Sequence, residues 1–207
     1  ICILLGALLM GGGIMVEQRA SLVSILLVSV IYATASIFAR STLLAVLATL
    51  ILLASIGART GYFPLIIEEP TLIIILFGLL SAGLYTLSKV LSVEYERIVS
   101  ASFRTALFLV NFGFWVGSFW GERSATKEVI ISGSIFSILW AVVLLATAIW
   151  AWKKNRRGVL NIVSIFGGIH FFTQWFENLG SSPYTVLIAG LIILGFAVGL
   201  RAINLKM

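Results

Sequence analysis

Long hydrophobic runs alternate with short polar connections along the chain, and the charged residues gather in those connections. Crossing about 30 Å of hydrocarbon takes roughly 20 apolar residues at 1.5 Å of rise each. Runs near that length cover residues 1–16, 20–39, 41–58, 71–88, 101–120, 129–152, 158–176 and 184–203. The pattern predicts an all-α polytopic transmembrane helix bundle of about eight spans, a single integral membrane domain over residues 1–207. The first run is short and interrupted by Gly11, Gly12 and Gly13, where a neighbouring backbone can approach closely. The chain opens at Ile1 inside an apolar run, which is read as a start downstream of the native N-terminus.

The connections differ in kind. Arg40 alone separates the second and third runs, so these two form a tight antiparallel hairpin. Residues 59–70, RTGYFPLIIEEP, contain Pro64 and Pro70, which discourage a continuous helix. The apolar patch from Tyr62 to Ile67 is expected in the headgroup layer or against a partner. Residues 89–100, KVLSVEYERIVS, mix charge with Val90, Leu91, Ile98 and Val99 and read as a short interfacial helix. The stretch 150–177 holds the densest positive run, Lys153, Lys154, Arg156 and Arg157, followed by a span with the only histidine, and is taken as the organiser of the chain.

Charge then orients the bundle. Connections after odd-numbered spans carry Arg19, Arg59, Arg123 and Lys127. The other side carries Arg40, Lys89, Arg97, Arg104, Lys153, Lys154, Arg156, Arg157, Arg201 and Lys206. Basic residues collect on cytoplasmic loops, so the second side is expected inside, with the C-terminus cytoplasmic and Lys153, Lys154, Arg156 and Arg157 as the main topology determinants. Trp120, Trp150, Trp152 and Trp175 fall at span ends, as interfacial aromatics do. Trp115 and Trp140 lie deeper and are expected to pack between helices.

Composition narrows the chemistry. The chain is 60% hydrophobic and 11% charged with a net charge of +6, against about 25% charged in ordinary soluble domains. The basic residues are dispersed over loop ends, so no nucleic-acid partner is expected. Cys2 is the lone cysteine, His170 the lone histidine, and aspartate is absent. A Ser–His–Asp triad is therefore excluded, zinc lacks its three or four ligands, and no cofactor is expected. Glu177 is left as a partner that orients His170 or as a surface pair on the same helix face. No acid lies mid-span for proton-coupled transport, and no inverted repeat of the kind common in transporters is visible.

Polar side chains inside hydrocarbon are the default functional candidates. On the fifth span Ser100, Arg104, Asn111 and Ser118 recur at intervals of four and seven, placing them on one stripe. On the seventh, His170, Gln174 and Glu177 share a face. Asn111, Trp115, Ser118, His170 and Gln174 lie at matching depths in the outer half and form a candidate polar pocket. The alternative reading makes Asn111, His170 and Gln174 interhelical hydrogen-bond partners. Arg104 is expected to snorkel to the inner interface, or to pair with a lipid phosphate, Glu94 or Glu96. Gly113 and Gly117 on the fifth span, and Gly195 and Gly199 on the eighth, form small-xxx-small steps that bring helices together, within the chain or between chains.

The stretches RTALFLVNFGFWVGSFWGE (104–122) and KKNRRGVLNIVSIFGGIHFFTQWFENLGSS (153–182), with the glycine-rich last helix ending in Arg201, resemble an uncharacterised family of multi-spanning bacterial inner-membrane proteins of unknown function. The resemblance covers the last half of the chain. It implies the bacterial inner membrane and no enzymatic activity, and it transfers no catalytic residue. Two function classes follow. One is a structural or accessory subunit whose glycine steps and Tyr62–Ile67 loop meet another membrane protein, with membrane lipids around it. The other is a small-molecule or lipid transporter or sensor using the outward pocket.

Overall fold

The computed structural model describes residues 2–17, 21–57, 69–123, 128–180 and 182–206. Among them the chain forms eight helices and one two-stranded hairpin: α1 (Cys2–Glu17), α2 (Leu22–Phe38), α3 (Thr42–Gly57), α4 (Pro70–Ser88), α5 (Val93–Trp120), β1 (Glu122–Arg123), β2 (Val129–Ile131), α6 (Gly133–Lys153), α7 (Arg157–Leu179) and α8 (Pro183–Lys206). Five of these, α4 to α8, are long and apolar enough to cross a membrane. The first three are apolar but shorter, at 16, 17 and 16 residues. The connection 59–68 with its Tyr62–Ile67 patch, and the basic residues Arg19 and Lys127, lie outside the described residues.

Helix ends follow local chemistry. Ser21 caps α2 by accepting a hydrogen bond from the Ser24 N–H, and Pro70 stands at the first turn of α4, where a missing N–H costs nothing. The tight turns after α2 and α6 share one device. Arg40 and Asn155 adopt positive φ, 51° and 53°, and the next residue's N–H reaches back five positions, Ser41 to the Ser36 carbonyl at 3.0 Å and Arg156 to the Ala151 carbonyl at 2.8 Å. This six-to-one closure satisfies carbonyls that a helix end leaves open.

Two expectations about boundaries are corrected. No separate interfacial helix covers 89–100: beyond the Ser92 cap, α5 runs unbroken for 28 residues, about 42 Å at 1.5 Å per residue. Nothing between Val93 and Trp120 breaks a helix, so the amphipathic segment continues into the span and extends past the hydrocarbon. The sixth helix starts at Gly133 rather than at Val129. The β-branched run Val129–Ile131 pairs with Glu122–Arg123 in an antiparallel hairpin instead, and Gly121, at φ 64°, turns the chain out of α5. An alanine Cβ at Gly121 would collide with the Ile131 carbonyl.

Side-chain links fix which ends lie together. Arg40 pairs with Glu94, and Arg156 lies 4.0 Å from Glu96, so the α2–α3, α4–α5 and α6–α7 connections share one end of the bundle. At the other end Thr71 donates a hydrogen bond to Glu122, joining the start of α4 to the hairpin. The organiser is α5 rather than the stretch 150–177, because α5 packs against α2, α3, α4, α6 and α7. One core cluster fills the space among α4, α5, α6 and α7 around Phe77, Phe114, Trp140 and Phe166. A second joins α1, α2 and α3 around Val28, Tyr32, Leu44 and Ala48. Serines tie the second layer together: Ser29 donates to the Ala48 carbonyl at 2.9 Å, and Ser102 of α5 to the Ala45 carbonyl at 3.2 Å. The last helix sits at the periphery, mainly on α7, with most of its apolar side chains exposed.

Candidate functional site

Asn111 is the deepest polar side chain of α5, 2% exposed, and its amide is used at both ends. Its Nδ2 donates to the Leu107 carbonyl at 2.8 Å, and its Oδ1 accepts from the Trp140 indole N–H of α6 at 3.1 Å. Trp140 is fully buried and presents its ring edge-to-face to His170 of α7, with centroids 4.8 Å apart at 72°. Three helices thus meet at one polar contact. The Nδ1 of His170 is buried there and has no hydrogen-bond partner among the described residues.

The other members of the candidate pocket go elsewhere. Trp115 donates its indole N–H to the Thr173 hydroxyl at 3.4 Å and packs between Phe112 and Phe119. Ser118, buried, bonds back to the Trp115 carbonyl at 2.7 Å. The Gln174 amide donates to Glu177 at 3.2 Å along its own helix. The structure therefore brings Asn111 and His170 together around Trp140, ties Trp115 to α7 through Thr173, and leaves Ser118 and Gln174 in local bonds.

Reasoning from sequence placed Trp140 only in packing and missed its role as donor. The signal was present: a buried indole N–H needs an acceptor, and Asn111 and Trp140 lie about two turns from the same end of their helices. Thr173 was missed because a threonine on an apolar helix usually bonds its own backbone.

On the stripe Ser100, Arg104, Asn111 and Ser118, the helix face turns from half-exposed to buried. Arg104 is exposed and its guanidinium passes over Gly158 of α7, where a Cβ would come within 2.7 Å of its Cζ. Of its alternative partners, Glu94 pairs with Arg40, and Glu96 lies 4.0 Å from Arg156. The glycine steps differ sharply. A Cβ at Gly113 would meet Ile73 and Ile74 of α4 at 3.1 Å, and one at Gly117 would lie 2.8 Å from the Phe136 ring of α6; Gly195 and Gly199 have nothing within 4 Å. The α5 step is an internal contact, and the α8 step faces outward.

The basic run ends α6 and begins α7. Lys153, Lys154 and Arg157 are exposed, whereas Arg156 reaches Glu96 and stands over the Tyr85 ring of α4, 5.7 Å from its centroid. Beside that ring opens a largely apolar groove of about 230 Å³ between α4, α5 and α6, with Tyr85, Phe103 and Trp150 at its charged end.

Comparison with known protein families, curated proteins and solved structures finds no match to this chain.

Proposed function

We propose that the chain is a non-enzymatic, multi-pass inner-membrane protein of eight spans that serves as a structural or accessory subunit of a membrane assembly. The observation that carries this reading is that both ends of the Asn111 amide are hydrogen-bonded within the bundle, to Trp140 and to Leu107. This buried amide, 2% exposed, is engaged in joining helices rather than held open for a solute. At 16 and 17 residues, α1 to α3 reach about 24–26 Å, which a bilayer accommodates by local thinning at modest cost. The shared end bearing Arg40, Lys89 and the Lys153–Arg157 run is the cytoplasmic one on the positive-inside rule, and the C-terminus lies with it. On this reading α8 is the element that meets the partner, since its Gly195 and Gly199 face is uncovered within the chain.

Gentle extraction from native membranes followed by mass spectrometry tests the proposal. A stoichiometric protein partner that is lost on Gly195→Leu is the expected result, and a chain isolated without any protein partner overturns it. Orientation is read separately, by labelling single cysteines at Asn155 and Ser182 in a Cys2→Ser background, with only Ser182 reacting from outside.

A second reading, a transporter or sensor, draws on the buried Nδ1 of His170, which has no hydrogen-bond partner among the described residues. It requires that His170→Phe abolish transport or signalling while the protein still inserts.

A further inference from the structure

The groove between α4, α5 and α6 combines three features. Its wall is apolar, with Leu107 and Val110 of α5 along it. From Gly78 to Tyr85 it spans two turns of α4, about 10 Å of depth at 1.5 Å per residue, a large part of the roughly 15 Å of hydrocarbon in one leaflet. At the end nearest the helix termini its aromatic floor is capped by cations: Lys89 Nζ stands 4.3 Å and Arg156 Cζ 5.7 Å from the Tyr85 ring centroid, and Tyr85 packs on Phe103 and edge-on to Trp150, at 5.5 and 5.1 Å.

We propose that this groove is a binding site for an anionic phospholipid, one acyl chain lying along Leu107 and Val110 and the phosphate resting against Lys89 and Arg156. An elongated apolar slot that ends in positive charge at the depth of the headgroups complements an acyl chain that ends in a phosphate. Arg156 is available to a phosphate because its contact with Glu96 is long, 4.0 Å, between two partly exposed side chains, and exposed pairs of this kind are weak. Lys89 is exposed, held over the ring face, and has two or three donor directions left for an oxygen ligand. The inference uses α4, α5 and α6, which are long enough to span, with Arg156 from the turn that leads into α7, and does not depend on the accessory-subunit reading.

Trp150 reports on occupancy. The protein is reconstituted in phosphatidylcholine vesicles, and brominated-chain phosphatidylglycerol or brominated-chain phosphatidylcholine is titrated in. The part of the fluorescence quenching that disappears in Trp150→Phe is followed. Phosphatidylglycerol is expected to quench this component preferentially, by about fivefold for each cation near the headgroup. The preference should vanish in Lys89→Gln/Arg156→Gln. Gly78→Leu should reduce quenching by either lipid, because a side chain at Gly78 enters open space, with nothing within 4 Å of its Cβ. Equal quenching by the two lipids overturns the proposal, as does a preference that survives loss of both cations. Quenching unchanged by Gly78→Leu in a protein with wild-type melting would place the lipid outside the groove and also overturn it. The double charge variant alters only side chains at the surface, so its result stands whether or not Gly78→Leu folds.

Discussion

Asn111 and Trp140 show how a polar pair acts inside an apolar bundle. An amide and an indole N–H each lose water on burial; the indole donates to the amide oxygen at 3.1 Å, and the amide nitrogen donates to the Leu107 carbonyl. Replacing Asn111 with Leu leaves the Trp140 N–H buried without an acceptor, which costs about 1–3 kcal/mol. We expect Asn111→Leu to destabilise by that order in denaturant titrations in mixed micelles, with a coupling of about 1 kcal/mol to Trp140→Phe in a double-mutant cycle. Additive single effects would remove the hydrogen bond from the account. That Asn111 matters was legible from one amide in a run of apolar residues. Which side chain completes it was not, since Trp115, His170 and Gln174 were the candidates and the donor came from α6.

Helices were the most legible elements, because each apolar run is bounded by charge, glycine or proline. Reading failed where two patterns meet. The amphipathic segment 93–100 and the span after it form one helix, since no breaker separates them, and Val129–Ile131 pairs as a strand with Glu122–Arg123, which Gly121 turns out of α5. The two glycine steps looked alike in sequence and differ in surroundings. Gly117→Ala would press a Cβ to 2.8 Å from the buried Phe136 ring, and we expect a loss of about 1–3 kcal/mol from overpacking. Gly195→Ala adds a methyl group to open space and should leave the isolated chain unchanged or about 0.5–1 kcal/mol more stable. Parallel thermal melts of the two variants separate internal from outward-facing steps, and equal losses would contradict the difference.

The whole molecule is arranged around α5, with the α1–α3 layer on one side, α4, α6 and α7 on the other, and α8 attached last. Ala189 is the buried anchor of α8, 0% exposed, while Trp175 of α7 donates to the Thr185 carbonyl at 3.2 Å. Ala189→Leu should therefore loosen α8 alone, seen as faster proteolysis between α7 and α8 with the melting of the remaining bundle preserved. A cooperative loss of the whole fold would show that α8 belongs to the core. Sequence alone determined the membrane class, the helix order and the side on which charge accumulates, because the energy of placing a residue in hydrocarbon is local and additive along the chain. Tertiary structure decided that α5 and not the stretch 150–177 is central, that Asn111 meets Trp140, that Gly117 faces inward and Gly195 outward, and that Lys89 and Arg156 converge on Tyr85. Those outcomes depend on how each helix is rotated about its axis. In a chain whose helices are apolar on nearly every face, that rotation is set by packing between side chains distant in sequence, which hydrophobicity leaves almost degenerate.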